Sequence, residues 1–496
     1  MTRGSDIDAV DGDVAVVGAG AAGLYAALVA AAAGAHVVLV SSSPLAQSAS
    51  YWAQGGIAAA LAADDSPELH LRDTLKAGRA ASRESAARVL CADAPARVRH
   101  LEELGVHFDA DRHGALALGL EGGHSQRRVV HAGGSATGRR ITRDLSALAA
   151  LDDSIQVLER TSAVALATSD GRCVGVHARD HRDRAVAIRA RATILATGGA
   201  AALWARTTNP PGVVGAGMTL ALGAGAALAD MEFQQFHPTA LVSADGNDGF
   251  LITEAIRGEG ARLLNGDGDR FVEELAPRDE VALAIQDQLR SHPVAGAARP
   301  AVHLDMRAVD PQRFPNVASA LGEAGIDPQR DLVPVAPAAH YTMGGIATDL
   351  DGRASLRGLY AVGECACTGL HGANRLASNS LAECFVFGHR AALAALGEPA
   401  SAGRFPPLRP APALYPAQST RDALWRHAGL ERDARGLEQL LSDPFPLARV
   451  IATCALAREE SRGAHQRRDH PRQDEVLNRM HAVVNGGDPP LFARWS

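Results

Sequence analysis

Asp13-Val14-Ala15-Val16-Val17-Gly18-Ala19-Gly20-Ala21-Ala22-Gly23 decides the fold. Its first five residues are an unbroken apolar run apart from Asp13, the pattern of a strand buried on both faces of a parallel sheet. The glycines follow as Gly-x-Gly-x-x-Gly. An alanine-rich helix comes next, and then a second strand at His36-Val37-Val38-Leu39-Val40. Strand, glycine turn, helix and strand together make the dinucleotide fingerprint, which the glycine spacing alone does not. Gly18 is expected to make the tight turn and Gly20 to admit a pyrophosphate to the backbone. Gly23 lets helix and strand pack closely, and the helix start around Ala22 faces the phosphates. The second strand ends in Ser41-Ser42-Ser43, where an acidic residue commonly holds the ribose. Ser41 and Ser42 offer hydroxyls for that task.

Further along, two more apolar stretches end in glycine turns. They are Ala192-Thr193-Ile194-Leu195-Ala196-Thr197-Gly198-Gly199 and Gly358-Leu359-Tyr360-Ala361-Val362-Gly363-Glu364. A nucleotide sheet re-entered so late favours FAD over NAD and makes the segment between an insertion. The expected architecture is α/β. A Rossmann-type FAD-binding domain takes 1–232 and 334–398, interrupted by an α+β capping domain over 233–333. A proline-rich linker at 405–412 leads to a C-terminal helical domain over 413–496. There Leu424, Leu430, Leu437 and Leu440-Leu441 are spaced for one apolar face.

Composition narrows the function. A chain of 496 residues exceeds one hydrophobic core, and 47% hydrophobic residues exclude general disorder. A net charge of −7 gives no basic footprint for nucleic acid. No apolar run is long enough to span a bilayer, and the N-terminus lacks a signal peptide's apolar region, so a cytoplasmic protein is expected. Six scattered cysteines suit a reducing compartment. Cys365-x-Cys367 has no second ligand pair at metal spacing, so no metal is expected. Lys76 is the sole lysine and falls on an amphipathic helix surface, which argues against Schiff-base chemistry with pyridoxal phosphate.

Several motifs occur together in a fixed order. They are Ala53-Gln54-Gly55-Gly56-Ile57, Glu121-Gly122-Gly123-His124-Ser125, Phe233-Gln234-Gln235-Phe236-His237-Pro238-Thr239 and Thr253-Glu254-Ala255-Ile256-Arg257-Gly258-Glu259-Gly260. Ala276-Pro277-Arg278-Asp279, His340-Tyr341-Thr342-Met343-Gly344-Gly345 and the run from Gly369 through Arg375 to Ser380-Leu381 complete the set. Through them the chain resembles the succinate dehydrogenase and fumarate reductase flavoprotein family over nearly its whole length. Within that family it is similar to the branch that oxidises aspartate.

The resemblance implies a site for a dicarboxylate. His237, Thr253, His340 and Arg375 match the substrate-binding positions, with Glu254, Gln235 and His124 beside them. Arginine suits a carboxylate because its planar fork donates two parallel hydrogen bonds. His237 and His340 are expected at loop-like element ends. Arg278 matches the family's proton-transfer arginine. Because a free guanidinium keeps its proton, oxidation needs a carboxylate relay behind it, either Glu254 or Glu259. The competing structural reading pairs Arg278 with Asp279 or Glu280 at a helix start. For FAD, the resemblance adds Ser50, Ala53, Gln54, Gly55, Gly56, Gly198, Gly199, Glu364, Ser380 and Leu381.

Three departures sharpen the expectation. Succinate enzymes of the family carry an apolar residue where Glu121 stands. A carboxylate facing a dicarboxylate is repulsive unless the substrate also carries a positive centre, and an amino group supplies one. Succinate dehydrogenases also carry a flavin-linking histidine near Ala49, whereas no histidine lies between His36 and His70 here, so FAD is expected to be noncovalent. Finally, Ala216 replaces an acidic residue between Gly215 and Gly217. The implied activity is oxidation of L-aspartate to iminoaspartate. Dioxygen (giving hydrogen peroxide) or fumarate takes the electrons, as the first step of NAD biosynthesis by way of quinolinate. Quinolinate synthase is the expected partner. The alternatives are a soluble fumarate reductase or succinate-oxidising flavoprotein, and a catalytically silent flavin-binding assembly protein.

Overall fold

A computed structural model describes residues 8–244, 246–292, 294, 299–400, 404–408, 414–486 and 488–496. The N-terminal stretch 1–6 and the linker prolines beyond 408 lie outside the described residues.

The fingerprint strand, Asp8–Val17, runs through a seven-stranded sheet. Val37–Val40 and Ala185–Leu195 pair with it in parallel on its two sides. Leu359–Ala361 pairs in parallel with the end of Ala185–Leu195, so the chain does return to its first sheet after position 358. Gly18 turns at φ +111, where a Cβ would lie 2.3 Å from the Ala196 carbonyl oxygen. A Cβ on Gly23 would lie 1.9 Å from the Gly18 carbonyl oxygen. Only glycine permits that contact between helix and strand. The helix Ala21–Ala32 is buried from Ala21 to Ala31 because the helix Asn379–Leu396 packs against it. Alanine's short side chain lets these layers approach closely.

The inserted segment forms a four-stranded antiparallel sheet of Gln234–Leu241, Val333–Thr342, Val302–Asp305 and Arg262–Leu264. The helices Arg278–Ser291 and Pro315–Glu323 cover it. Ile252, Ile256, Leu263, Val281, Ile285, Leu304 and Val317 fill an apolar core separate from that of the nucleotide sheet.

The C-terminal region departs from the expected single apolar face. It folds as three helices, Gln418–His427, Ala434–Leu440 and Pro446–Ala457. Asp433 caps the second by accepting from the Gly436 amide, and Pro446 opens the third. Leu424, Leu437 and Leu440 are buried, Leu430 lies between helices, and Leu441 is exposed. Past the helices come two strands, Met480–Val484 and Leu491–Arg494. Met480–Val484 pairs with Leu228–Ala229 to complete a five-stranded sheet. Buried Arg458 pins this region inward, donating from Nε to Glu232 Oε1 at 2.6 Å. Among the described residues, no helix is long and apolar enough to cross a membrane.

Candidate active site

The nucleotide cradle is made mostly of main chain. The helix Ala21–Ala32 has no side-chain cap at Gly20, and the Ala21 amide donates to Ser50 Oγ at 3.1 Å. A Cβ on Gly20 would come within 3.1 Å of that hydroxyl. Gly198 turns at φ +76 with nothing within 4 Å of where a Cβ would stand. Gly55 approaches Ser378, and Gly56 lies against the Val130 carbonyl. The Ala53 carbonyl accepts from the Gly138 amide. Gln54 reaches across to the inserted segment, Nε2 donating to the Leu251 carbonyl at 3.1 Å. Its Oε1, Ser48 Oγ and Thr197 Oγ1 are buried without partners. Such a cradle suits FAD. The uncapped helix start and open glycine turn fit a diphosphate, and the three unpartnered oxygens fit a ligand rich in hydrogen-bonding groups.

Two of the proposed ribose groups differ in setting. Ser41 is buried, its amide and carbonyl paired with Leu158 and Thr161, whereas Ser42 is exposed. Gly199 packs on Glu364, whose carboxylate accepts from the Thr342 amide at 2.9 Å. Burial still pushes Glu364 up to about 7. Ser380 Oγ accepts from Arg375 Nη1, and Leu381 is buried in the first turn of the helix Asn379–Leu396.

Beside this cradle, buried charged and polar side chains converge from separate segments of the chain. Arg278, the first residue of its helix, donates from Nε to Glu254 Oε2 at 2.8 Å and from Nη1 to Gln235 Oε1 at 3.1 Å. Gln235 in turn donates to Asn374 Oδ1 and the Arg375 carbonyl, both at 2.9 Å. Arg257 stands 3.7 Å from Glu254. Arg375 lies 4.5 Å above the Tyr341 ring and donates from Nη2 to His340 Nε2 at 3.3 Å. Since arginine can only donate, His340 Nδ1 carries the proton and donates to Thr208 Oγ1 at 2.8 Å. The Arg375 Nε is buried and unpartnered. Burial and the nearby Arg278 draw Arg375 down to about 10.

The histidines are neutral. Burial first, then Arg278 and neighbouring cationic groups, hold His237 and His340 well below the ordinary imidazole value. Their rings sit edge to face, 5.1 Å apart. Contrary to expectation, His237 lies inside the strand Gln234–Leu241, whereas His340 does lie near the end of Val333–Thr342. The pairing of these strands slips between Gln235 and Phe236 and again between His237 and Ala240. Pro238 has no amide to donate, and such irregularities re-aim side chains beside functional sites.

Glu121 is buried, Oε2 accepting from Ser378 Oγ at 2.6 Å and Oε1 lying 3.5 Å from His131 Nε2. Burial opposes its ionisation, but His131 and Ser378 outweigh that and hold it down to about 2. Glu254 also falls below the usual carboxylate value, Arg278 and Arg257 overcoming its desolvation. Thr253 is buried, and its hydroxyl makes no hydrogen bond to another described residue.

Geometry answers two questions the sequence left open. Glu254 holds Arg278, whereas Glu259 pairs with Arg313. Asp279 and Glu280 pair with Arg79, not with Arg278. His124 is placed as a strut, its Nδ1 accepting from Arg128 and its Nε2 donating to the Ala377 carbonyl, which leaves no free nitrogen for a carboxylate. Arg257, Ser378, His131 and Thr208 were not singled out from sequence. Arg257 and Ser378 sit inside quoted motifs. His131 and Thr208 lie outside any motif and meet their partners only in the folded chain.

Comparisons with known proteins bear on this arrangement. Residues 13–381 match the FAD binding domain family, and residues 440–491 match the fumarate reductase flavoprotein C-terminal family. The chain is 47% identical to an L-aspartate oxidase of Caulobacter vibrioides, covering 96% of this chain and 97% of that protein. It is 41% identical to an L-aspartate oxidase of Streptomyces coelicolor, covering 96% and 92%. Among solved structures, it resembles a quinol fumarate reductase from E. coli, with TM-score 0.89, 29% identity and 98% and 97% coverage. Mycobacterium smegmatis Sdh1 gives TM-score 0.85 at 30% identity, with 99% and 95% coverage.

Proposed function

The chain belongs to the L-aspartate oxidases within the fumarate reductase flavoprotein family, and on that premise we propose how its buried charges serve the reaction. The enzyme is an FAD-dependent oxidoreductase that converts L-aspartate to iminoaspartate for NAD biosynthesis, with dioxygen or fumarate as acceptor.

Charge complementarity carries the reading. Arg257, Arg278 and Arg375 set three guanidiniums against the two carboxylates of Glu121 and Glu254, with the histidines neutral. One positive charge remains. L-aspartate, with two carboxylates and one ammonium, cancels it, whereas a dianion, succinate or fumarate alike, overshoots by one negative charge and is held less tightly. In a buried site such an excess is costly.

Arg375 holds one substrate carboxylate, offering its unpartnered Nε, and His340, its two nitrogens taken by Thr208 and Arg375, orients that guanidinium. His237 and the Thr253 hydroxyl hold the other. His237 Nδ1 accepts from the Thr239 amide, so Nε2 carries the proton and donates. Glu121 accepts from the ammonium. Formation of the imine needs the nitrogen's electron pair, so the ammonium gives up one proton, accepted by Glu121, as the hydride leaves Cα; FAD, when bound, would take that hydride. In the direction of fumarate reduction, Arg278 donates a proton from Nη2, the nitrogen that its bonds to Glu254 and Gln235 leave free, and Glu254 restores it. FAD would be held noncovalently by the Gly20 helix start, Ser50, Gln54 and the 198–199 turn, with Gly18 and Gly23 letting strand and helix come close enough to shape that cradle. The nucleotide part runs up to 232 and resumes after 342 rather than at 334, because the strand Val333–Thr342 belongs to the cap sheet. The short-lived imine calls for a prompt consumer, and quinolinate synthase fits. Six free cysteines, five of them buried, fit a reducing cytoplasm.

Anaerobic stopped-flow bleaching of the bound flavin tests this. L-aspartate should bleach it faster than succinate; faster bleaching by succinate overturns the assignment.

A further inference from the structure

Arg278 and Arg375 come from segments with separate apolar cores, yet one short loop braces both. Residues 78–82 follow the helix Pro67–Ala77. Toward the Arg375 segment, the Gly78 carbonyl accepts from the Ala373 amide at 3.1 Å, and the Ala77 carbonyl accepts from Asn374 Nδ2 at 3.3 Å. Toward the Arg278 helix, Arg79 reaches across with its guanidinium. Its Nε donates to Asp279 Oδ2 at 2.8 Å, and its Nη2 donates to Asp279 Oδ1 at 3.0 Å and Glu280 Oε1 at 2.5 Å. The two-pronged contact is directional, and the Asp279 side chain is only 6% exposed.

The loop is held in a costly shape. Arg79 and Ala80 are consecutive non-glycine residues at φ +55 and +57. Such backbone persists only where its surroundings over-determine it. Here the C-terminal region does so. Arg462 Nη1 donates to the Arg79 carbonyl, and the Arg479 amide donates to the Ala80 carbonyl, each at 2.8 Å. Arg462 is itself buried and paired with Glu460.

We propose that Arg79 is a positioning residue. It latches the first turn of the Arg278 helix to the loop that braces Arg375, and so fixes the separation of the two guanidiniums across the substrate. Asp279 is the immediate neighbour of Arg278, so a slip at the latch is passed directly to the proton-transfer group. A displacement of about 1 Å at a reacting group can cost about a hundredfold in rate. This inference rests on the reading of Arg278 given above.

The test uses FAD-loaded enzyme and measures kcat and KM for L-aspartate in Arg79→Gln, Asp279→Asn, the double variant and the charge swap Arg79→Asp with Asp279→Arg. Each single variant should lose about 10- to 100-fold in kcat with a smaller change in KM, at unchanged flavin content. The double variant should be no worse than either single, and the swap should recover part of the loss. Wild-type kcat in the singles, or losses that multiply in the double, overturn the latch. If Arg79→Gln does not fold, Asp279→Asn decides by the same criterion. If neither folds, the contact is structural and the proposal fails. Arg278→Gln, measured in parallel, separates the two readings. Activity there sinks the role of Arg278, whereas an inactive Arg278→Gln beside a wild-type Arg79→Gln sinks only the latch.

Discussion

In the nucleotide cradle the working groups are main-chain atoms and a few hydroxyls; in the substrate pocket they are buried charges. The cradle depends on the absence of side chains at Gly18, Gly20 and Gly23 within one short stretch. The pocket draws Glu121, Gln235, His237, Glu254, Arg257, Arg278, His340 and Arg375 from across more than half the chain. The first is local and tolerant of charge. The second balances desolvation against pairing, so removal of one partner leaves another buried and uncompensated.

If that contrast holds, damage to the pocket should cost catalysis while FAD stays, and damage to the cradle should do the reverse. The largest effect is expected for Arg375→Leu. Loss of a preorganised donor at a substrate carboxylate should lower kcat/KM by about 10³-fold, with the flavin absorbance of the purified protein retained. Colourless protein would break the contrast. Next comes Glu121→Gln, which should raise KM for L-aspartate about 10- to 100-fold while leaving KM for fumarate nearly unchanged. Equal losses would show that Glu121 does not read the amine. A carboxyl held down to about 2 stays ionised as pH falls until near that value. Glu121 should therefore contribute no change in KM for L-aspartate between about pH 8 and 5, and a change centred near pH 7 would report Glu364 instead.

On the cradle side, Gly23→Ala puts a methyl on the Gly18 carbonyl oxygen. Titration of apoprotein should show FAD binding weakened about tenfold, with kcat near normal at saturating FAD. The smallest effect is expected at Ala216, a half-buried residue opening the helix Ala216–Gly223. Ala216→Asp adds a carboxylate at a helix start and supplies the acid that the family carries. FAD should bind about threefold tighter.

The same contrast explains what could be read in advance. The cradle is written contiguously, so Val14–Val17, the glycines and the late return at Leu359–Ala361 were legible from pattern alone. The pocket was legible only through resemblance, because the partners that set its chemistry are remote. Nothing near His131 or Thr208 announces a contact with Glu121 or His340. His237 and His340 were expected at loop-like element ends because a proline and a glycine turn follow them; His340 does lie near the end of its strand, while for His237 slipped strand pairing serves the same end. The tail's leucines suggested one apolar face, yet Asp433 and Pro446 start new helices. Met480–Val484 is too short a run to declare its pairing with Leu228–Ala229.

That last pairing bears on how the enzyme is made. The strand Leu228–Ala229 lies just upstream of Gln235 and His237, and its neighbour in the sheet emerges about 250 residues later in translation. A nascent chain on the ribosome must carry an unpaired strand edge and an unmatched buried Glu232 until residues 458–484 are released. The sheet beside the active site is thus completed after synthesis rather than during it, and removal of residues 458–496 should yield aggregated protein rather than a weaker enzyme.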